Sequence, residues 1–389
     1  MKIAIISTMN GADWGGSEAL WFDFVKFSQQ AGHECHVYKK INPSHPKALE
    51  LINKGVNVKF GNRNKIIKLI KLVARKFSQS PIKTELKIAH LLSFLNPYKC
   101  YFKNNFDVIL INQGGTYDIL HDTFLMQLVF EYNKNNLFLI CHWNTDYSRE
   151  YYFPYEWHRR IFQKFNRIFF VSKRNQQTTE RQLATKLNNA ELIKNPINRP
   201  NIDYIKYPNS DDTLKIACVA LLSAVNKGQD VLLEVLKQKK WKKRNITLHL
   251  FGKGQDKRYY EELVDLYDLK NKVIFEGYQP VDEIWRKCHL LIMPSISEGF
   301  PLALIEAMTA GRTAVVTHIA GMPEIIQDGK NGFIAAAPKD VFLDAALEKA
   351  WKYRDTWQEL GLNARETALT FYEPNAGEVL LKKFYNALF

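Results

Sequence analysis

The sequence is poor in cysteine, in long apolar runs and in spaced acid pairs, and each shortage removes a class of function. Its 389 residues hold five cysteines, at 35, 100, 141, 218 and 288. The count is odd and no C-x-x-C or Cys/His ligand spacing occurs. Neither a disulfide framework nor a structural zinc site is expected, and the chain suits a reducing, cytoplasmic compartment. No apolar run approaches the roughly 18 residues of a spanning helix. At the start, MKIAIISTMNGADWGG offers only Ile3-Ala4-Ile5-Ile6, too short for a signal-peptide core and better read as a buried first strand. No D-x-D pair exists to hold a divalent cation; Asp211-Asp212 is adjacent and lies in a stretch without periodicity.

What is present describes a globular chain. Aromatic residues make up 13%, apolar mass that a disordered polyelectrolyte lacks. The length suits about two to three domains. The formal charge of +14 is unevenly placed. Residues 51–100 carry eleven Lys/Arg against the single acid Glu85, and residues 151–200 ten against three, whereas residues 251–389 carry sixteen basic and twenty acidic side chains. The positive field therefore belongs to the N-terminal half. Within it, NKIIKLIKLVARKF (64–77) has helical periodicity, with Ile66, Ile70, Val73 and Phe77 on one face and Lys65, Lys68, Lys71, Arg75 and Lys76 largely around the other. Such a helix suits an anionic membrane surface; the alternative is a core-facing helix with solvated lysines. Nucleic acid is not expected as a partner, because interleaved aromatics and a recognition motif are missing.

Two regions share one grammar: a β-branched run, a glycine-bearing turn, then a helix-period segment. The first has strands expected at 2–7, 33–40, 56–60, 107–112, 137–142 and 167–172, with a helix from about Ser17 to Gly32. The second has strands expected at 213–222, 246–252, 272–278, 290–295 and 313–318, with helices at 230–238 and near 257–267, 281–287 and 302–309. Residues 340–389 read as helices interrupted near Tyr372-Glu373-Pro374-Asn375. Alternating strand and helix argues an α/β chain of two Rossmann-like, doubly wound parallel-sheet domains, facing across a cleft at the carboxyl ends of their strands. The Pro/Asn/Asp-rich stretch 195–212 is the natural linker. The expected division is 1–198, 199–370 and a C-terminal helical segment 371–389 that packs back on the N-terminal domain.

The most informative segment is SISEGFPLALIEAMTAGR (295–312). A strand ends, a loop carries Glu298-Gly299-Phe300-Pro301, and a helix begins near Leu302 with Glu306 about a turn inside. Carboxylates accept hydroxyl protons and repel phosphate, so this pair suits a polyol. Glycine at 299 lets backbone approach a ligand closely, and the helix start suits an anion. This E-x7-E loop resembles the donor-sugar motif of retaining GT-B glycosyltransferases, glycosyltransferase family 4, the group 1 transferases. The resemblance implies that Glu298 contacts sugar hydroxyls, that Glu306 holds the ribose, and that the amides near Gly299, Phe300, Pro301 and Leu302 meet sugar and diphosphate.

Further motifs follow in the family's order. Gly15-Gly16-Ser17-Glu18 is similar to its glycine-rich loop facing the donor phosphates, and is not a G-x-G-x-x-G dinucleotide loop. His142 matches its N-domain histidine near the donor sugar. Phe170-Val171-Ser172 and Asn195-Pro196 fit the end of the N-domain. Lys227-Gly228-Gln229-Asp230 matches a KG-x-D segment whose lysine binds diphosphate. Gly252 and Gly254 resemble the G-x-G turn, and Glu276-Gly277-Tyr278 the segment lining the base. One position departs: where the family has arginine in V-A-R-L, this chain reads Val219-Ala220-Leu221-Leu222.

The resemblance implies a metal-independent hexosyl transfer with retention, from a nucleoside-diphosphate sugar (UDP by default) to a growing or lipid-linked glycan. No cofactor is implied, and Glu298, His142 and Lys227 are the expected catalytic side chains. The alternatives are a sugar-nucleotide epimerase or hydrolase and a catalytically silent glycan- or membrane-binding scaffold, to which Leu221 lends weight. A nicotinamide oxidoreductase is disfavoured by the first loop's glycine spacing.

Overall fold

The computed structural model describes residues 1–9, 14–61, 81–103, 105–144, 155–199, 201–209 and 213–389. Two units are built on separate sheets. The first comprises Met1–Pro196 and Asn375–Phe389, the second Ile197–Pro374. The expected divisions at 198 and 370 differ from these by two and four residues.

The first unit holds strands β1 (Lys2–Ser7), β2 (Glu34–Lys39), β3 (Asn57–Phe60), β4 (Val108–Gly115), β5 (Leu137–Trp143), β6 (Arg167–Phe170) and β7 (Ala190–Leu192). They pair in parallel in the order β3-β2-β1-β4-β5-β6-β7. The inner strands are apolar except toward their carboxyl ends, where Ser7, Asn112, Gln113 and His142 sit, since helices cover both faces. All eight residues of β4 are buried. The order reverses beside β1, which pairs with β2 on one side and β4 on the other. At such a reversal the loops after the two strands diverge and leave room for a ligand.

The second unit repeats the plan with β8 (Leu214–Val219), β9 (Ile246–Phe251), β10 (Val273–Gly277), β11 (Leu290–Met293), β12 (Thr313–Thr317) and β13 (Phe333–Ala335). Their order is β10-β9-β8-β11-β12-β13, again parallel. Its reversal lies between β8 and β11. The short edge strands β7 and β13 escaped the sequence reading, because three residues carry no measurable periodicity. Strand β6 stops at Phe170, since Ser172 turns to cap the next helix and accepts the Asn175 amide at 3.2 Å. The first helix starts as a 3-10 turn at Gly16–Glu18 and becomes α-helical from Ala19 to Gln30.

The C-terminal helix lies on the first unit as expected, whereas the linker departs from its reading. The helix Ala376–Leu388 belongs to the first unit and packs along the helix Ala19–Gln30. Its fully buried Phe384 meets the rings of Phe24, Phe138 and Phe169 at centroid distances of 5.1, 4.6 and 5.8 Å. The stretch after Pro196 is no loose connector. Buried Arg312 donates to the carbonyls of Ile205 and Lys206 at 2.9 Å each, Arg365 to that of Ile202 at 2.6 Å, and Arg199 to that of Asp203. Guanidinium groups thus satisfy carbonyls of a stretch that, among the described residues, forms no helix or strand.

Truncating Phe384 removes an aromatic that three other rings enclose. Phe384→Ala is expected to lower the first unit's stability by about 3–5 kcal/mol, read as an earlier urea transition. A change under about 1 kcal/mol would show the last helix to be dispensable.

Candidate functional site

In the second unit, two loops meet at the sheet's reversal. After β8 the chain runs through Ala220–Ser223 into the short helix Ala224–Lys227, turns at Gly228 and enters the helix Gln229–Leu236. After β11 it runs through Pro294 and Ser295 to Glu298. The loops share backbone hydrogen bonds: the Ile296 and Ser297 amides both donate to the Asn226 carbonyl, at 2.9 and 3.1 Å. Gly228 has φ 63°, and a Cβ there would lie 2.2 Å from the Pro294 carbonyl oxygen. Only glycine satisfies both the left-handed turn and that approach.

The consequence is chemical. Lys227 Nζ lies 2.5 Å from Glu298 Oε1, and Ser295 Oγ donates to the same oxygen at 2.9 Å. An ammonium and a carboxylate thus share one mouth, the first suited to an anion and the second to hydroxyl groups. Both side chains are mostly covered, at 21% and 10% exposed, so their attraction is less screened than on an open surface. Gly299 and Pro301 are buried, Phe300 and Leu302 half-buried, and Phe300 packs toward Phe371.

The remaining expected donor residues are spread over the same sheet edge. Gly252 and Gly254 sit under residues 220–222, where a Cβ on either would meet a carbonyl oxygen at 2.0 or 2.1 Å. These glycines thus have a packing role of their own. Gly277 has φ 69° and ends β10, followed by Tyr278 at 76% exposed. Leu221 is 55% exposed, and its carbonyl accepts from the buried Gln229 side chain at 2.9 Å. Glu306 is buried on its helix and accepts the Asn198 amide at 2.9 Å; burial holds its carboxyl above the ordinary range, opposed by Asn198.

The first unit gathers polar groups at its own reversal. Gly15 is extended and Gly16 opens the turn that delivers Glu18 into the interior. Glu18 is fully buried and accepts from Ser7 Oγ and Trp21 Nε1, each at 2.9 Å. Lys39 Nζ lies 2.9 Å from it. Asn112 Nδ2 donates to the Ser17 carbonyl at 3.1 Å and to Glu18 at 3.4 Å. Its Oδ1 lies 2.9 Å from His142 Nε2, and His142 Nδ1 lies 3.4 Å from Asn195 Nδ2. Burial pushes His142 down to about 3, so its ring is neutral near neutral pH. Close by, Asp118 accepts the Gly114 and Gly115 amides at 3.1 Å each and the Thr8 hydroxyl at 3.2 Å. Burial still pushes its carboxyl up to about 6.

The structure therefore brings Lys227 and Glu298 together in one unit, and places Gly15, Gly16 and His142 along one strand edge in the other. Ser295, Asn112 and Asp118 were missed. The available signal was a polar residue at or just past the end of an apolar strand. Lys65, Lys68, Lys71, Arg75 and Lys76 lie outside the described residues. Among those described, no helix is long and apolar enough to cross a membrane, and all five cysteines are free.

Comparison with known proteins bears on the second unit and on the fold. Residues 203–367 match the family model described as Glycosyl transferases group 1. The chain is 34% identical over 150 residues to the lipopolysaccharide glucosyltransferase WaaG of Escherichia coli, covering 37% of this chain and 39% of that protein. It is 26% identical over 208 residues to the uncharacterized glycosyltransferase MJ1178 of Methanocaldococcus jannaschii, covering 53% and 55%. The chain thus spans about half or less of the length of these curated relatives. Among solved structures, Anabaena Alr3699/HepE in complex with UDP-glucose superposes with a TM-score of 0.70 at 16% identity, covering 99% of this chain and all of that one. The fold is GT-B.

Asp118 supplies a pH test. Its folded-state value near 6 exceeds the ordinary 3.8, so the folded chain binds this proton more tightly and loses stability as pH rises between those values. Urea unfolding of wild type and Asp118→Asn should show the wild type losing about 2–3 kcal/mol relative to the variant between pH 4 and pH 7. A difference independent of pH would mean that Asp118 titrates alike in the folded and the unfolded chain.

Proposed function

We propose that the chain is a glycosyltransferase of the group 1 type, moving a hexose from a nucleoside-diphosphate sugar to a glycan acceptor with retention and without a metal. One observation carries this reading: Lys227 and Glu298 held 2.5 Å apart at the reversal of the second sheet, within the stretch that matches the family model. With no donor bound, each neutralises the other. A sugar diphosphate would separate them, its phosphate taking the ammonium and its ring hydroxyls the carboxylate. The cost of parting the pair is offset only by a ligand that presents both groups, which favours the whole donor over either half.

The transfer then runs as follows. The bond between the anomeric carbon and the diphosphate oxygen breaks, and its electron pair leaves with the diphosphate. Lys227 stabilises the charge that develops there, the role a divalent cation has elsewhere. The acceptor hydroxyl attacks from the same face, and its proton passes to the departing phosphate. Glu298 orients the ring without becoming the nucleophile. The neutral His142 offers a hydrogen bond to a hydroxyl but no positive charge. Leu221 leaves the diphosphate to Lys227 and the helix starts. Uridine is the favoured base, in keeping with the UDP-glucose bound by Alr3699/HepE. A lipid-linked acceptor is in keeping with the lipopolysaccharide glucosyltransferase among the relatives. Peripheral attachment at the cytoplasmic face of a membrane would use the basic segment 64–77.

A panel of nucleotide sugars tests the donor site by thermal shift, since a ligand at 100 times its Kd adds about 2.7 kcal/mol to stability. UDP-hexoses should raise the Tm of wild type and lose that effect in Glu298→Ala and Lys227→Ala. Turnover should survive EDTA. A covalent glycosyl adduct on Glu298 would replace the orienting role with a nucleophilic one, and donor consumption without a glycan product would favour a hydrolase. For the membrane, Lys68→Glu, Lys71→Glu and Arg75→Glu together should abolish sedimentation with anionic liposomes while soluble-acceptor turnover persists. Retained sedimentation removes the membrane role.

A further inference from the structure

Lys39 and Glu18 form an ion pair inside the first unit, with side chains 1% and 0% exposed. Taking two charges out of water costs several kcal/mol each, and well-packed apolar side chains often serve stability as well or better. What an ion pair adds is direction, which can be followed atom by atom.

A carboxylate and a carbonyl oxygen only accept. Glu18 Oε1 and the Ser17 carbonyl oxygen both face Asn112 Nδ2, so the NH2 side of that amide must point toward the helix start. Asn112 Oδ1 then points the other way, to His142 Nε2 at 2.9 Å. That oxygen can only accept, so Nε2 carries a proton. In a neutral imidazole the other nitrogen is then a lone pair. Asn195 accordingly presents Nδ2 to Nδ1, at 3.4 Å the weakest bond of the chain. Asn195 Oδ1 has no hydrogen-bond partner among the described residues. The other contact is equally neutral: Asn175 Nδ2 donates to the His142 carbonyl at 2.9 Å. The Lys39–Glu18 pair is thus the charged anchor of the chain.

We propose that Lys39, Glu18 and Asn112 are positioning residues that hold His142 in a single Nε2–H tautomer, with Nδ1 kept as an acceptor for a hydroxyl of a bound ligand. A ligand hydroxyl would displace only the long Asn195 contact. The catalytic consequence rests on the glycosyltransferase reading; the tautomer itself does not.

The test labels the histidine ring nitrogens and records their resonances by NMR in the full chain, with steady-state kinetics on the UDP-hexose selected by thermal shift. Wild type should show a pyrrole-type Nε2 and a pyridine-type Nδ1 at His142 from pH 5 to 8. Asn112→Ala keeps the ion pair but cuts the link. Glu18→Leu with Lys39→Met replaces the pair by apolar side chains of similar size. Each should blur the two resonances toward an average and lower kcat by about tenfold or more, while the donor KM moves less than about threefold, the scale seen when outer partners of functional histidines at metal sites are removed. If the double variant does not fold, Asn112→Ala decides alone. A proton on Nδ1 in wild type overturns the proposal, as does an unchanged tautomer with unchanged kcat in Asn112→Ala. If the tautomer is as stated but no nucleotide sugar is turned over, the functional reading fails and the positioning stands.

Discussion

The second unit depends on how closely two loops can approach at a sheet reversal. The backbone of Asn226 and Gly228 touches that of Pro294, Ile296 and Ser297, and no side chain larger than hydrogen fits at the tightest point. That contact decides where Lys227 and Glu298 end. Seventy-one residues separate them in sequence, and neither loop alone could hold its charged group against water. The buried amide of Gln229 extends the same clasp, bridging the Leu221 carbonyl and the Tyr260 hydroxyl. The clasp fixes the backbone and leaves the two charged side chains as its movable parts.

The first unit solves a different problem. Its reversal gathers the uncharged Asn112, His142 and Asn195 beside the Asp118 carboxyl, with a fully buried ion pair at Lys39 and Glu18. Burial keeps the His142 ring uncharged and raises the Asp118 carboxyl, which still ionises by neutral pH. Desolvation dominates because the surroundings are strand interiors, and the hydrogen bonds to Asp118 are too few to reverse it.

Much of the fold was legible. Long apolar runs such as Ile3–Ile6 and Leu137–Cys141 are buried on both faces, and their hydrophobic content alone marks them as inner parallel strands. Edge strands β7 and β13 were not legible, because their three residues each owe their strand state to a neighbour's register. Nor was the clasping of residues 202–206, where a Pro/Asn/Asp-rich neighbourhood says loop while Arg312 and Arg365, more than a hundred residues downstream, hold the backbone fast. In the site, Glu298 and Lys227 were readable as motif residues. Ser295 and Asn112 were not, since a serine or asparagine after an apolar run is usually a cap or a turn.

The amino-acid sequence by itself determined the elements and their kind: which runs must be buried, where helices start, and which loops carry glycine beside charge. These are local consequences of periodicity, side-chain shape and backbone freedom. Only the tertiary structure decided what each polar group faces. The partner of Lys227 and the proton position on His142 are set by atoms dozens of residues away. No local pattern encodes such distances, because they arise where separately formed strands are brought into one sheet.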